Sequence, residues 1–331
     1  MRIGMIGAGG IARTHSKNLA ELGNVSIAAV SDIDHEKAIA LAAQWDAHAV
    51  TDYREILEQV DAVYICTPPT TRRQQVETVA SAGVPIYCEK PLATTMEDGQ
   101  YIAQAVHEAG IPFMVGFNHR FRKPFLRFRQ VLTRGELGDL MSAWVTRLGS
   151  STQKINTNWR TTAGLSCGIT IESVSHDIDF IRWSCGEPIS CFGLTETSLP
   201  ELAGYDNSLN AVLSLDSGAA VNFNISWASK LNIGSRGFVG TKGSAVIEGP
   251  SQWSIRKLHM STGENQHSEV FEEPEASDFC YQEASRHFID CVRSGRPPSI
   301  GVNDGLAALA VSIALKSSAD QRQVVEVPLW H

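Results

Sequence analysis

The chain has 331 residues, too many for one ordinary hydrophobic core, so two domains are expected. Hydrophobic residues make up 43% and charged residues 19%, the balance of a soluble globular chain, and a formal net charge of −8 argues against nucleic acid or an anionic membrane as partner. The seven cysteines show no C-x-x-C spacing and no apolar run approaches membrane-spanning length. No disulfide framework and no metal site is implied, and a reducing, cytoplasmic setting for a chain beginning at Met1 is expected.

Met1-Arg2-Ile3-Gly4-Met5-Ile6 reads as a short buried strand. It runs into Gly7-Ala8-Gly9-Gly10-Ile11-Ala12, a G-x-G-x-x-A turn, and then into a helical pattern from Arg13 to Leu22. Strand, glycine turn and helix in this order suit a dinucleotide pyrophosphate: Gly7 allows the turn, Gly9 lets backbone approach phosphate, and Ala12 keeps helix close to strand. A second strand over Val25–Val30 ends in Ser31-Asp32. Asp32 lies 20 residues beyond Ala12, where a carboxylate accepts the adenosine ribose hydroxyls and repels a 2′-phosphate, so NAD is expected over NADP.

A helix over Asp34–Gln44, a short strand near Ala47–Val50 and a short helix near Arg54–Glu58 follow. Ala62–Cys66 is a continuous apolar run, as for a central parallel strand. Helix 72–81, strand 84–88, helix 96–109 and strand 112–116 complete a βαβ alternation, which predicts a doubly wound parallel sheet over about the first 120 residues. Ligands bind at the carboxyl ends of such strands. There lie Thr67-Pro68-Pro69-Thr70 and, after the next strand, Glu89-Lys90-Pro91. Lys90 thus offers an amine where the nicotinamide should lie, able to hydrogen-bond a substrate hydroxyl or share its proton.

Beyond Phe121 the pattern changes. Arg120, Arg122, Lys123, Arg127 and Arg129 interleave with Phe117, Phe121, Phe125 and Phe128, read as an amphipathic helix (123–134) with a solvated basic face. A strand near 140–148, a Gly/Ser/Thr-rich loop and one long helix, 168–184, come next. Strand-like runs at 189–197, 209–215, 219–227, 238–239, 244–248 and 253–260, joined by hairpin signals, predict a mostly antiparallel sheet. Helices near 277–294 and 304–318 close the chain. On the long helix Glu172 and His176 are four apart and share a face, so the carboxylate can orient an imidazole general base. The same pair could equally serve only to stabilise the second domain.

Taken together, Gly7–Ala12, Cys66-Thr67-Pro68-Pro69, Glu89-Lys90-Pro91, Gly116-Phe117-Asn118-His119-Arg120-Phe121, Trp159-Arg160 and His176-Asp177-Ile178-Asp179 with Arg182-Trp183 resemble the glucose–fructose oxidoreductase / inositol dehydrogenase / MocA family, in order and over nearly the whole chain. The resemblance implies an α/β chain: an N-terminal Rossmann domain (1–120) binding a nicotinamide dinucleotide, then a C-terminal α/β domain (121–331) whose large open, mostly antiparallel sheet forms a homodimer or homotetramer interface. It implies reversible oxidation of a hydroxyl of a sugar, cyclitol or sugar derivative. Lys90 and His176 match the family's catalytic lysine and histidine, with Glu172 beside them in place of an aspartate. Asn118, Trp159 and Arg160 fall near the substrate or nicotinamide. Gly7, Gly9, Gly10, Ile11, Ala12, Asp32, Thr67, Pro68, Arg72, Glu89 and Lys90 fall along the cofactor, and the Lys90-Pro91 bond is implied to be cis. Pro69 replaces a common asparagine, and Arg72 a common histidine, adding a permanent charge near the cofactor. On this reading the substrate is gripped between the domains, with His176 as base and Lys90 on the same oxygen. Three alternatives stay open: a redox-neutral NAD-dependent glycosidase, a dihydrodiol- or biliverdin-type reductase, and a cofactor-binding regulatory protein without catalysis.

Overall fold

Strand β1 (Arg2–Ile6) is buried along all but its first residue, because it runs through the middle of a sheet covered on both faces. The computed structural model describes residues 1–150, 159–162, 165, 167–198, 205–251, 253–263, 265–271 and 279–328. After β1 come α1 (Gly10–Ala20), β2 (Ser26–Ser31), α2 (His35–Ala42), β3 (His48–Val50), a 3₁₀ segment (Tyr53–Gln59) and β4 (Ala62–Ile65). Then follow α3 (Arg72–Ser81), β5 (Ile86–Cys88), α4 (Met96–Ala109) and β6 (Phe113–Val115). The six strands are parallel in the order β3-β2-β1-β4-β5-β6, a Rossmann sheet. Thr95 caps α4 by accepting the Asp98 N–H, and Gly110 closes it in the left-handed conformation, both as sequence rules require.

The rest comprises α5 (Lys123–Thr133), β7 (Leu140–Ser150), α6 (Gly168–Glu172), α7 (Ser175–Cys185), β8 (Pro188–Glu196), β9 (Ser208–Leu215), β10 (Ala220–Ser226), β11 (Ala228–Gly240), β12 (Ser244–Gly249), β13 (Lys257–Thr262) and β14 (Asn265–Val270). It ends with α8 (Phe279–Ser294), α9 (Val302–Gln321) and β15 (Val325–Glu326). Nine strands form a second sheet, β14-β13-β12-β11-β7-β10-β9-β8-β15, antiparallel except where β10 runs parallel to β7. Helix α5 packs on β12 and β13, and α7 on β7.

By contacts the chain forms two units, residues 1–118 with 278–306, and residues 119–277 with 307–331. Helix α8 therefore returns to the first unit, whereas the sequence assigns everything after 120 to the second. In the first unit Tyr64 and Tyr87 stack at 4.5 Å, and Phe288 of α8 meets each edge-on at 5.7 Å. Aromatic contacts of this kind contribute about 0.5–1.5 kcal/mol each beyond area burial.

Two expectations are corrected in the second unit. The helix expected over 168–184 is broken at Ser173–Val174, where the Val174 N–H donates to the Ile169 carbonyl five residues back. Buried Arg147 pins both sides of the break, donating to Ser173 Oγ (2.9 Å) and pairing with Asp177 (2.9 Å). The basic cluster is not a solvated face either. Arg120 pairs with buried Asp179 at 2.6 Å, Arg122 is itself buried, Arg127 binds Glu269, and Arg129 donates to the Trp183 carbonyl.

Candidate functional site

In the first unit the carboxyl ends of the parallel strands carry the residues singled out from sequence. Gly7 adopts φ +97°, and a Cβ there would lie 3.1 Å from the Cys66 backbone, so glycine is required at this turn. Its N–H donates to the Ser31 carbonyl at 2.7 Å. Gly9 caps α1 without a side-chain bond, and a Cβ at Gly9 or Gly10 would meet nothing within 4 Å. The amino end of an eleven-residue helix thus opens onto free space with its first N–H groups, those of Gly10, Ile11 and Ala12, available to a phosphate. Asp32, at the end of β2, accepts the Ala8 N–H (2.7 Å) on one oxygen and the Asp34 N–H (2.9 Å) on the other, tying the glycine turn to the neighbouring strand end. These features fit a bound dinucleotide.

Strand β4 ends in Thr67 and Pro68, and Thr67 Oγ1 donates to Gln75. Arg72 departs from its expected role. Its guanidinium is buried and donates to the backbone carbonyls of Thr67, Glu89 and Pro91, so its charge supports the loops instead of facing a ligand. Glu89 is also buried. Its Oε1 lies 2.8 Å from His15 Nε2, and its Oε2 accepts the Lys90 N–H at 3.1 Å. Burial pushes the Glu89 carboxyl up, but the His15 hydrogen bond and the charges of His15, Lys90 and Arg72 outweigh it and hold the group below its ordinary value. The Lys90-Pro91 bond is cis, Lys90 is half-buried, and Asn118 is buried beyond the end of β6.

In the second unit, Glu172 ends α6 and His176 is the second residue of α7, so the two occupy successive helices instead of one helix face. The Glu172 carboxylate accepts from Arg160 (2.9 Å) and from the Tyr205 hydroxyl (3.2 Å), and Arg160 lies over the Trp159 ring at 4.7 Å. Burial pushes the Tyr205 hydroxyl well up, and the Glu172 charge adds to this. His176 is buried and stacks on His119, with Trp253 edge-on at 6.2 Å. Beneath them Asp177 bridges Arg147 and Arg236, all three fully buried. The sequence suggested none of His15, His119 or Tyr205 as a site residue. His15 carried one signal: with Ala12 and Leu19 it lies on the buried face of α1, where an imidazole must find a partner. Among the described residues no group of three His, Cys, Asp or Glu could hold a metal ion, and no helix is long and apolar enough to cross a membrane.

Comparison with known proteins covers both units. The family model GFO_IDH_MocA, described as an oxidoreductase family with an NAD-binding Rossmann fold, matches residues 1–117, and the GFO/IDH/MocA C-terminal domain matches residues 125–246. The chain is 29% identical to an inositol 2-dehydrogenase of Rhizobium meliloti over 98% of each protein. It is 26% identical to the scyllo-inositol 2-dehydrogenase (NAD(+)) of Bacillus subtilis, over 96% of this chain and 94% of that one. Its fold is that of the WlbA dehydrogenase of Bordetella pertussis, solved in complex with NADH and UDP-GlcNAcA, with a TM-score of 0.87 over 99% of each chain at 24% identity.

Proposed function

From the chain's membership of the GFO/IDH/MocA oxidoreductase family, we propose that it is an NAD-dependent dehydrogenase oxidising a ring hydroxyl of a cyclitol or sugar. The observation that carries this reading is one edge of one sheet: the open glycine turn, the Asp32 carboxylate and the gripped Glu89-Lys90-Pro91 segment all lie at the carboxyl ends of parallel strands. The names of the relatives, inositol 2-dehydrogenases among them, support the substrate class.

Oxidising a secondary alcohol removes a hydride from carbon and a proton from oxygen. When bound, NAD supplies the hydride acceptor. The protein binds it through the Gly7–Ala12 turn, Asp32, Thr67 and Pro68, with Glu89 and Arg72 acting behind the surface as supports. His176 takes the hydroxyl proton, since a neutral imidazole nitrogen is a hydrogen-bond acceptor suited to a general base. Lys90 donates to the same oxygen and stabilises its developing negative charge. Asn118, Trp159 and Arg160 hold the substrate, and Glu172 fixes Arg160. In this reading the enzyme is a cytoplasmic homodimer or homotetramer joined through the second sheet. A panel of inositols, sugars and other polyols, read by absorbance of reduced nicotinamide with NAD and with NADP, tests the proposal. Turnover of a cyclitol or sugar with NAD is expected, and tight NAD binding without turnover of any polyol would refute it.

A further inference from the structure

We infer that His15 is a positioning residue for Lys90, acting through the Glu89 carboxylate and so linking the helix of the glycine turn to the lysine at the end of β5. Three observations carry this. First, the carboxylate is bridged: His15 Nε2 lies 2.8 Å from Oε1, while the Lys90 N–H donates to Oε2 at 3.1 Å. With a carboxylate as acceptor, Nε2 carries a proton. Second, the bridge is built in. The His15 ring is fully buried and held among Tyr64, Tyr87 and Tyr281, with centroids 5.1, 5.0 and 5.3 Å away. A Cβ at Gly116 would lie 3.1 Å from Glu89 Oε1, so the chain leaves room for that oxygen. Third, the Lys90 backbone is gripped from both sides, by the Glu89 carboxylate on its own N–H and by the Arg72 guanidinium on the carbonyls of Glu89 and Pro91.

A buried carboxylate stays charged only while donors hold it. Removing the His15 donor leaves Glu89 with one partner fewer and frees the end of β5 to shift. A displacement of about an ångström at a reacting group can cost up to about 100-fold in rate. The inference rests on the reading of Lys90 as a residue that touches substrate.

The test uses the full chain and the variants His15→Leu, His15→Gln and Ser16→Ala. Glutamine offers an amide N–H in reach of Oε1, and the Ser16 hydroxyl, one residue on, donates to the Ala12 carbonyl within α1. His15→Leu should lower kcat about tenfold or more while NAD affinity changes by less than about threefold. His15→Gln should recover most of that loss. In a Lys90→Ala background, His15→Leu should lower the residual rate no further. An equal fractional loss in that background would show that His15 acts by general destabilisation and would overturn the inference. A second readout does not need turnover. After reductive ¹³C-methylation, the Lys90 resonance, assigned with Lys90→Arg, should move in His15→Leu and stay put in Ser16→Ala. An unmoved resonance refutes the inference even if the enzyme turns over cyclitols, and a moved one supports it even if no polyol is a substrate. Should His15→Leu not fold, His15→Asn, whose amide falls short of Oε1, makes the same comparison.

Discussion

His119 and His176 lie ring on ring, with centroids 4.5 Å apart and planes 19° from parallel. Two imidazoles so close cannot both be protonated without repulsion. Burial, then the charges of His176, Arg122, Arg236 and Arg147, drives His119 well below its ordinary value of 6.5. The unfolded chain therefore holds a proton on His119 at pH values where the folded chain does not. This stabilisation is complete above about pH 6.5 and is lost as pH falls from there toward the depressed folded value. Melting temperature should rise between about pH 5 and pH 7, and the rise should be shallower in His119→Phe. Identical pH slopes in the two proteins would show that His119 does not contribute.

Replacing the proposed base should separate chemistry from binding. His176→Ala is expected to lower turnover by roughly 10²–10⁴, the range for lost acid–base catalysis. NAD affinity, measured by quenching of protein fluorescence, should barely change, because the proposed dinucleotide contacts lie in the first unit. Near-normal turnover in His176→Ala across the pH range, with Lys90→Ala inactive, would make lysine the base.

Asp32 has two duties, and one substitution reveals both. Its carboxylate should disfavour a 2′-phosphate, so Asp32→Ser should shift the NADP-to-NAD ratio of kcat/KM toward NADP by about tenfold, which corresponds to about 1.4 kcal/mol. The same change weakens the hold on the Ala8 N–H at 2.7 Å, a loss of about 1 kcal/mol visible as a lower melting temperature. Equal or better use of NADP by the unmodified protein would remove the electrostatic argument.

On β8 and β9 the side chains alternate, and Phe192, Leu194 and Val212 stand exposed, with Phe192 and Val212 paired across the two strands. A wide sheet face with exposed apolar residues on these strands, toward its β15 edge, favours a second copy of the same surface. Light scattering at micromolar concentration should give the mass of a dimer or tetramer, and Phe192→Asp should shift it toward the monomer. A monomeric mass for the unmodified chain would refute this expectation.

The first unit was legible in the sequence because its signals are local. A glycine turn, an acid 20 residues on and fully apolar strands each depend on a few neighbouring residues. The second unit hid where buried charge replaces apolar pattern. Strand β11 showed only Phe238 and Val239, because Arg236 faces inward to meet Asp177, a partner 59 residues away. The break at Ser173–Val174 has no glycine or proline to announce it and is held by Arg147, on strand β7. Strand β14 is polar along almost its whole length, as a solvated edge can be. Arg72 misled for the opposite reason: next to a presumed ligand site, its charge suggested a contact, while three backbone carbonyls claim it.

That α8 belongs to the first unit has a consequence for how the protein is made. Helix α1 packs against α8, and the stacked Tyr64 and Tyr87 rings meet Phe288. During synthesis the first unit must therefore wait, with that apolar face bare, while the ribosome makes all of residues 119–277. Only when Ser294 has left the exit tunnel can the face be covered. The nascent chain thus passes through a long interval in which a chaperone, or misassociation with a neighbouring chain, competes for the same surface. A gene fragment ending near residue 120 would encode every cofactor contact proposed above without the helix that closes the first unit's core.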